Sequence, residues 1–128
     1  MLRKLATATA FILASTLGAV AGSDHDHGSS HGGVVAETSG HHHLELLAAD
    51  GSLQVYVTHT DGKPQAVKNA KAAATVLSEG KTERIEMTPK QDNLFVGNGN
   101  FTAGAGTVVV ITITLPDHQP EQARFELK

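Results

Sequence analysis

The chain has no cysteine and no tryptophan, and aromatic residues make up only 4% of its 128 positions. Without thiols there is no disulfide framework, no thiolate zinc or iron–sulfur centre and no cysteine nucleophile. Metal ligands, if present, must be imidazole, carboxylate or backbone atoms. The same absence removes the cysteine that a lipid anchor would need. A core of this composition is aliphatic. Charge of one sign is not in large excess either. Ten basic against thirteen acidic residues give a net charge of −3, with a pI near 6.2. Nucleic-acid binding needs a clustered basic surface, so it is not expected. Enzyme signatures are also missing: no HExxH, no GxSxG elbow and no phosphate-cradling glycine loop occurs. Asp, Ser and His are present, but no spacing puts them in triad roles. The expectation is a non-enzymatic protein.

What is present starts with a targeting segment. Residues 1–21, MLRKLATATAFILASTLGAVA, carry a positive start at Arg3 and Lys4 and an apolar, small-residue stretch from Leu5 to Val20. Ala19-Val20-Ala21 has the small-x-small form of a cleavage site. The run is too short and too rich in Ala, Thr and Ser to span a membrane. Cleavage near Ala21 is expected, with export to the periplasm and no stable membrane anchor afterwards.

Histidine is the residue in excess. Six of the eight histidines fall between Gly22 and His43: His25, His27, His31, His41, His42 and His43. Between Gly22 and Gly40 they are mixed with glycine and serine, and nothing repeats with a helix or strand period. The segment reads as a flexible arm, 22–40, unable to bury enough apolar surface to order itself. Val34 and Val35 are its one adjacent apolar pair and are expected to dock on the domain. Asp24-His25-Asp26-His27 offers two imidazoles and two carboxylates in four residues. Histidine has an ordinary pKa of about 6.5, so most of its rings are neutral at neutral pH with one nitrogen lone pair free. Neutral imidazole suits zinc, copper(II), nickel(II) and cobalt(II).

From His41 the pattern changes to period two. HHHLELLAA is followed by the turn Ala49-Asp50-Gly51-Ser52, then by LQVYVTH with Leu53, Val55, Val57 and His59 on one face. Thr60-Asp61-Gly62-Lys63-Pro64 is a turn. Ala72 to Ser78 and Thr82 to Thr88 read as strands about Glu79-Gly80-Lys81, with Ile85 and Met87 inward. Leu94 to Val96 is a short strand, and Asn98-Gly99 has the composition of a hairpin turn. Gly106 to Leu115, GTVVVITITL, is the most β-branched run and is expected to be central. Gln122 to Leu127 closes the chain, with Ala123, Phe125 and Leu127 inward. About seven short strands with turn signals between them predict a single all-β domain over 41–128, an immunoglobulin-like β-sandwich.

If the first two strands pair about Asp50-Gly51, the end carrying His41, His42 and His43 lies beside His59. On a strand, His41 and His43 would project from one face about 7 Å apart. His41, His43 and His59, with His31 reaching in from the arm, are the expected cluster of the folded domain. The expected metal ligands overall are Asp24, His25, Asp26, His27, His31, His41, His42, His43 and His59. His118 reads as exposed.

HGGVV (31–35), HHHLELLAADGSLQVYVT (41–58), DGKP (61–64), ATVLSEGKTERIEMTP (74–89) and EQARFEL (121–127) together resemble a group of small periplasmic β-sandwich proteins. These are similar to the histidine-containing N-terminal domains of periplasmic adaptor subunits in heavy-metal efflux systems. The resemblance implies a role in handling zinc, cobalt, nickel, cadmium or copper, with efflux-system proteins as partners. In the family pattern a histidine stands immediately before DGKP, whereas His59 stands one place earlier. The helical hairpin and lipoyl-like parts of an adaptor have no counterpart here. The first expectation is therefore a periplasmic buffer or chaperone for divalent transition metals. The alternative is a non-enzymatic periplasmic interaction module whose histidine-rich arm merely solubilises it.

Overall fold

Alternating apolar and polar residues put every second side chain on one face of a strand, and most of this chain follows that rule. The computed structural model describes residues 29–128. The targeting segment 1–21 and the ligands expected at Asp24, His25, Asp26 and His27 lie outside them. The described chain is all-β, with eight antiparallel strands and no helix. They are β1 (Val34–Glu37), β2 (His43–Ala49), β3 (Ser52–Thr58), β4 (Lys71–Ser78), β5 (Lys81–Gln91), β6 (Leu94–Asn98), β7 (Val108–Thr114) and β8 (Glu121–Glu126).

The strands form one sheet in the order β1-β2-β3-β6-β5-β4-β7-β8. β5 makes the sheet continuous. Its first half pairs with β4, from Lys81 opposite Ser78 to Met87 opposite Ala72. Its last residues pair with β6. The register shifts between Pro89 and Gln91, where proline has no N–H to give to a ladder. The sheet then curls until β1 approaches β8, and the Ser39 N–H donates to the Gln122 carbonyl at 3.1 Å across that seam. The result is a nearly closed, barrel-like sheet, not two separate layers. The extra strand is β1. It lies inside the segment read as an arm, because Val34 to Glu37 find partners in Leu46 to His43 of β2.

The core fills the interior of this sheet. Leu44 and Leu46 of β2, Val55 and Val57 of β3, and Val109, Ile111 and Ile113 of β7 are all fully buried. Phe95 and Phe125 are the largest fully buried side chains. β7 is flanked by β4 and β8, as its composition predicts. The β4–β5 connection is a two-residue hairpin loop, with Glu79 and Gly80 both at positive φ. Asn98-Gly99 is not a hairpin turn. β6 lies between β3 and β5, so the chain leaves Asn98 to cross over to β7. The Gly99 N–H is used by the Gly51 carbonyl instead. Local composition favours a turn there, and long-range pairing decides otherwise.

Candidate functional site

The outer face of the β1–β2–β3 region carries a carboxylate that the period-two pattern alone would leave in water. Glu45 stands opposite Val35 of β1 and Tyr56 of β3. Before β1 the chain folds back over it. The backbone N–H groups of His31 and Gly33 donate to Oε2 of Glu45, each at 2.9 Å. The His31 Nδ1 meets Oε1, also at 2.9 Å. The His31 ring stacks on Tyr56 at 3.7 Å with planes 4° apart. Gly33 makes this close approach possible, because a Cβ there would lie 2.5 Å from the Leu46 carbonyl oxygen. Burial pushes the Glu45 carboxyl up and is the largest single influence. The hydrogen bonds from the His31 ring and the two amides, with the attraction of a charged His31, together outweigh it and hold Glu45 below its ordinary value.

A second carboxylate closes the barrel seam. The β1–β2 turn is tied by the Thr38 N–H to the His42 carbonyl at 2.7 Å and by the His41 N–H to the Thr38 carbonyl at 3.0 Å. Thr38 Oγ1 accepts from the His42 N–H at 2.9 Å and donates to Oε1 of Glu121 at 2.6 Å. The same Oε1 meets the His42 Nδ1 at 2.8 Å. The side chain of Glu121 is only 7% exposed and that of His42 only 13%, so neither is a surface pair that solvent would dissolve. Gly40 lies against this carboxylate with no room for a methyl group. Burial again pushes Glu121 up most strongly. The hydrogen bonds from Thr38 and His42 and the charges of His42 and His118 bring it below its ordinary value.

Around His42 gather two more imidazoles. The His59 ring, in the turn after β3, has its centroid 5.6 Å from that of His42 at a tilt of 45°. The His118 ring, in the β7–β8 turn, lies 6.5 Å away and edge-on at 84°. His118 Nδ1 donates to the Pro116 carbonyl at 2.8 Å. Ionised carboxylates and carbonyl oxygens only accept, so the proton sits on Nδ1 in His42 and His118. The Nε2 lone pair of each neutral ring is then bare. His31, on Glu45, and His41, whose Nδ1 meets Glu37 Oε1 at 2.7 Å, follow the same rule.

The expected grouping of His31, His41, His43 and His59 is not assembled. The β2–β3 register does bring the start of β2 to the end of β3, with His43 opposite Thr58. His42, however, is the neighbour of His59. The strand begins only at His43, and His41 is left-handed at φ 66°. The alternation that would align His41 with His43 therefore never starts. His41 turns to exposed Glu37, His43 is buried at the head of β2, and His31 is held by Glu45 and Tyr56. Among the described residues, no group of three or more His, Asp or Glu side chains stands close enough to hold a metal ion.

Glu45, Glu121 and Thr38 are the residues that sequence reasoning passed over; His118 is exposed, as expected, but its ring lies near His42. One signal was available for Glu121. It shares the parity of Ala123 and Phe125, and period two therefore turns a carboxylate toward the interior at the mouth of the barrel. Among the described residues no helix is long and apolar enough to cross a membrane. Comparison with family models, curated proteins and solved structures returns no match to this chain.

Proposed function

We propose that this chain binds divalent transition-metal ions, zinc, copper, nickel or cobalt, in the periplasm, as a non-enzymatic buffer or chaperone linked to heavy-metal efflux or resistance. The observation that carries this reading is the repeated pairing of a histidine Nδ1 with a glutamate: His31 with Glu45, His41 with Glu37 and His42 with Glu121. A carboxylate on one ring nitrogen fixes the tautomer, orients the ring and raises the basicity of the other nitrogen. Metal-binding histidines are commonly held in this way. The sequence adds Asp24, His25, Asp26 and His27, donors whose types suit the same ions. The targeting segment supplies the compartment. Calorimetric titration of the purified chain with zinc(II), copper(II) and nickel(II) tests the reading. Binding tighter than millimolar to at least one ion is expected, and its absence for all three would overturn it.

A further inference from the structure

We propose that His42, His59 and His118 form a three-imidazole site for a single divalent transition-metal ion at the mouth of the barrel. This site rests on the metal-binding reading above and gives it a ligand set within the folded domain. The three residues come from three separate connections: the β1–β2 turn, the turn after β3 and the β7–β8 turn. They have no proximity in sequence. The β2–β3 hairpin sets His59 beside His42, and closure of β1 onto β8 brings His118 to them.

As they stand the three rings are not close enough to hold an ion, so binding has to draw them together. An ion bound tetrahedrally at 2.0–2.1 Å from each nitrogen leaves neighbouring ring centroids about 5 Å apart. The observed separations from His42 are 5.6 Å to His59 and 6.5 Å to His118. The His59 and His118 rings must each draw in toward His42, by roughly an ångström, and also toward each other before the three share an ion, a movement made by rotation about side-chain bonds. His42 is the fixed member, held by Glu121 and nearly buried. His59 and His118 are the movable ones, both exposed and both on turns. The His59 ring has the His42 ring as its neighbour.

The donor chemistry suits such an ion. His42 and His118 each give Nδ1–H to an oxygen, so in the neutral ring Nε2 is the nitrogen left with a lone pair to donate. Three neutral imidazoles with a fourth position left to water match the donor set of an open zinc site, and nitrogen donors also suit copper(II) and nickel(II). Glu121 acts here as a positioning residue: it touches His42 and not the ion. Thr38 locks that carboxylate in turn. The arrangement is a ligand, a carboxylate behind it, and a hydroxyl behind the carboxylate.

The test is titration of the full chain with zinc(II), read by calorimetry and by nitrogen-15 chemical shifts of the histidine rings. On the wild-type chain the Nε2 resonances of His42, His59 and His118 should move together at one equivalent of the site. His59→Ala and His118→Ala should each weaken that site at least tenfold, with the metal-free melting temperature unchanged. His31→Ala should leave it intact. Zinc binding that shifts other histidines only, or that survives both replacements unchanged, overturns this site and leaves the metal-binding reading standing. A wild-type chain that binds none of zinc(II), copper(II) and nickel(II) removes both. The chemical-shift arm needs no variant, so a replacement that fails to fold does not spare the proposal.

Discussion

Glu121, at the first residue of β8, accepts the Nδ1–H of His42 at 2.8 Å, and the two are 79 residues apart. No shorter loop of chain joins them, so the pair exists only because the sheet curls until β1 meets β8. The bond both fastens the seam and aims an imidazole. Glu121→Gln should separate these effects. Its side-chain amide keeps the shape, but the negative charge is lost. Zinc affinity at the His42 site should fall about 10- to 100-fold, the usual range for removing a carboxylate behind a ligand histidine. Titration calorimetry beside a thermal melt measures both. A melt that falls while zinc affinity holds would mean that Glu121 serves the seam alone.

Gly40 has its hydrogen against the Glu121 carboxylate. Gly40→Ala should force that carboxylate away from Thr38 and His42. Overpacking of this kind costs about 1–3 kcal/mol. Chemical denaturation should show a lower midpoint with an unchanged slope. An equal replacement at Gly62, where nothing lies within 4 Å of an added Cβ, meets no such clash. It pays only the strain of its positive φ of 83°.

Glu45 should make stability depend on acid. Its folded-state pKa is held below the ordinary 4.5. A depressed carboxylate stabilises the fold fully above its unfolded value, and that contribution is lost as pH falls from about 4.5 through the folded value. Glu45→Gln keeps the size but removes this titration. The variant should be less stable than the wild type at pH 7 by about 1–3 kcal/mol, the scale of disrupted buried hydrogen bonds to a charged group. The gap should narrow steadily below pH 4.5. Urea unfolding at pH 7 and pH 3.5 checks the sign, and a gap that widens in acid would contradict it.

Deletion of residues 22–28 should remove Asp24, His25, Asp26 and His27 without loosening the sheet. The first backbone partner in β1 is Val34, and His31 and Gly33 hold Glu45. The metal stoichiometry should drop, the melting temperature should not, and the site at His42 should remain. Deletion through Gly40 is a different experiment, because it takes away β1, the His31 clamp and the β1–β8 seam together.

Much of the fold was legible because a strand's period is local. HLELLAA, LQVYVT and VVVITIT each announce two faces within seven residues or fewer, and the buried set Leu44, Leu46, Val55, Val57, Val109, Ile111 and Ile113 lies on the faces so announced. The turn at Glu79-Gly80 was equally local, because glycine takes a positive φ without strain, although Glu79 beside it adopts one as well. β1 was not legible. Four residues in a glycine- and serine-rich segment are too short a run to declare a strand, and hydrogen bonds from β2 create it. Asn98-Gly99 failed for the converse reason, since a local turn preference yielded to β6 lying between β3 and β5.

The candidate site divides in the same way. Sequence alone determined the donor chemistry: no thiol, eight imidazoles, and carboxylates among them. It also determined that the start of β2 lies beside the end of β3, through one short hairpin. Only the tertiary structure decided which rings meet. His41 is turned aside by a left-handed backbone, His31 is held by Glu45 and Tyr56, and His42 is set between His59 and His118 with Glu121 behind it. The physical reason is range. Periodicity reports the face of a side chain on its own strand; the β2–β3 hairpin brings His59 to His42, whereas Glu121 and His118 arrive only when the sheet closes.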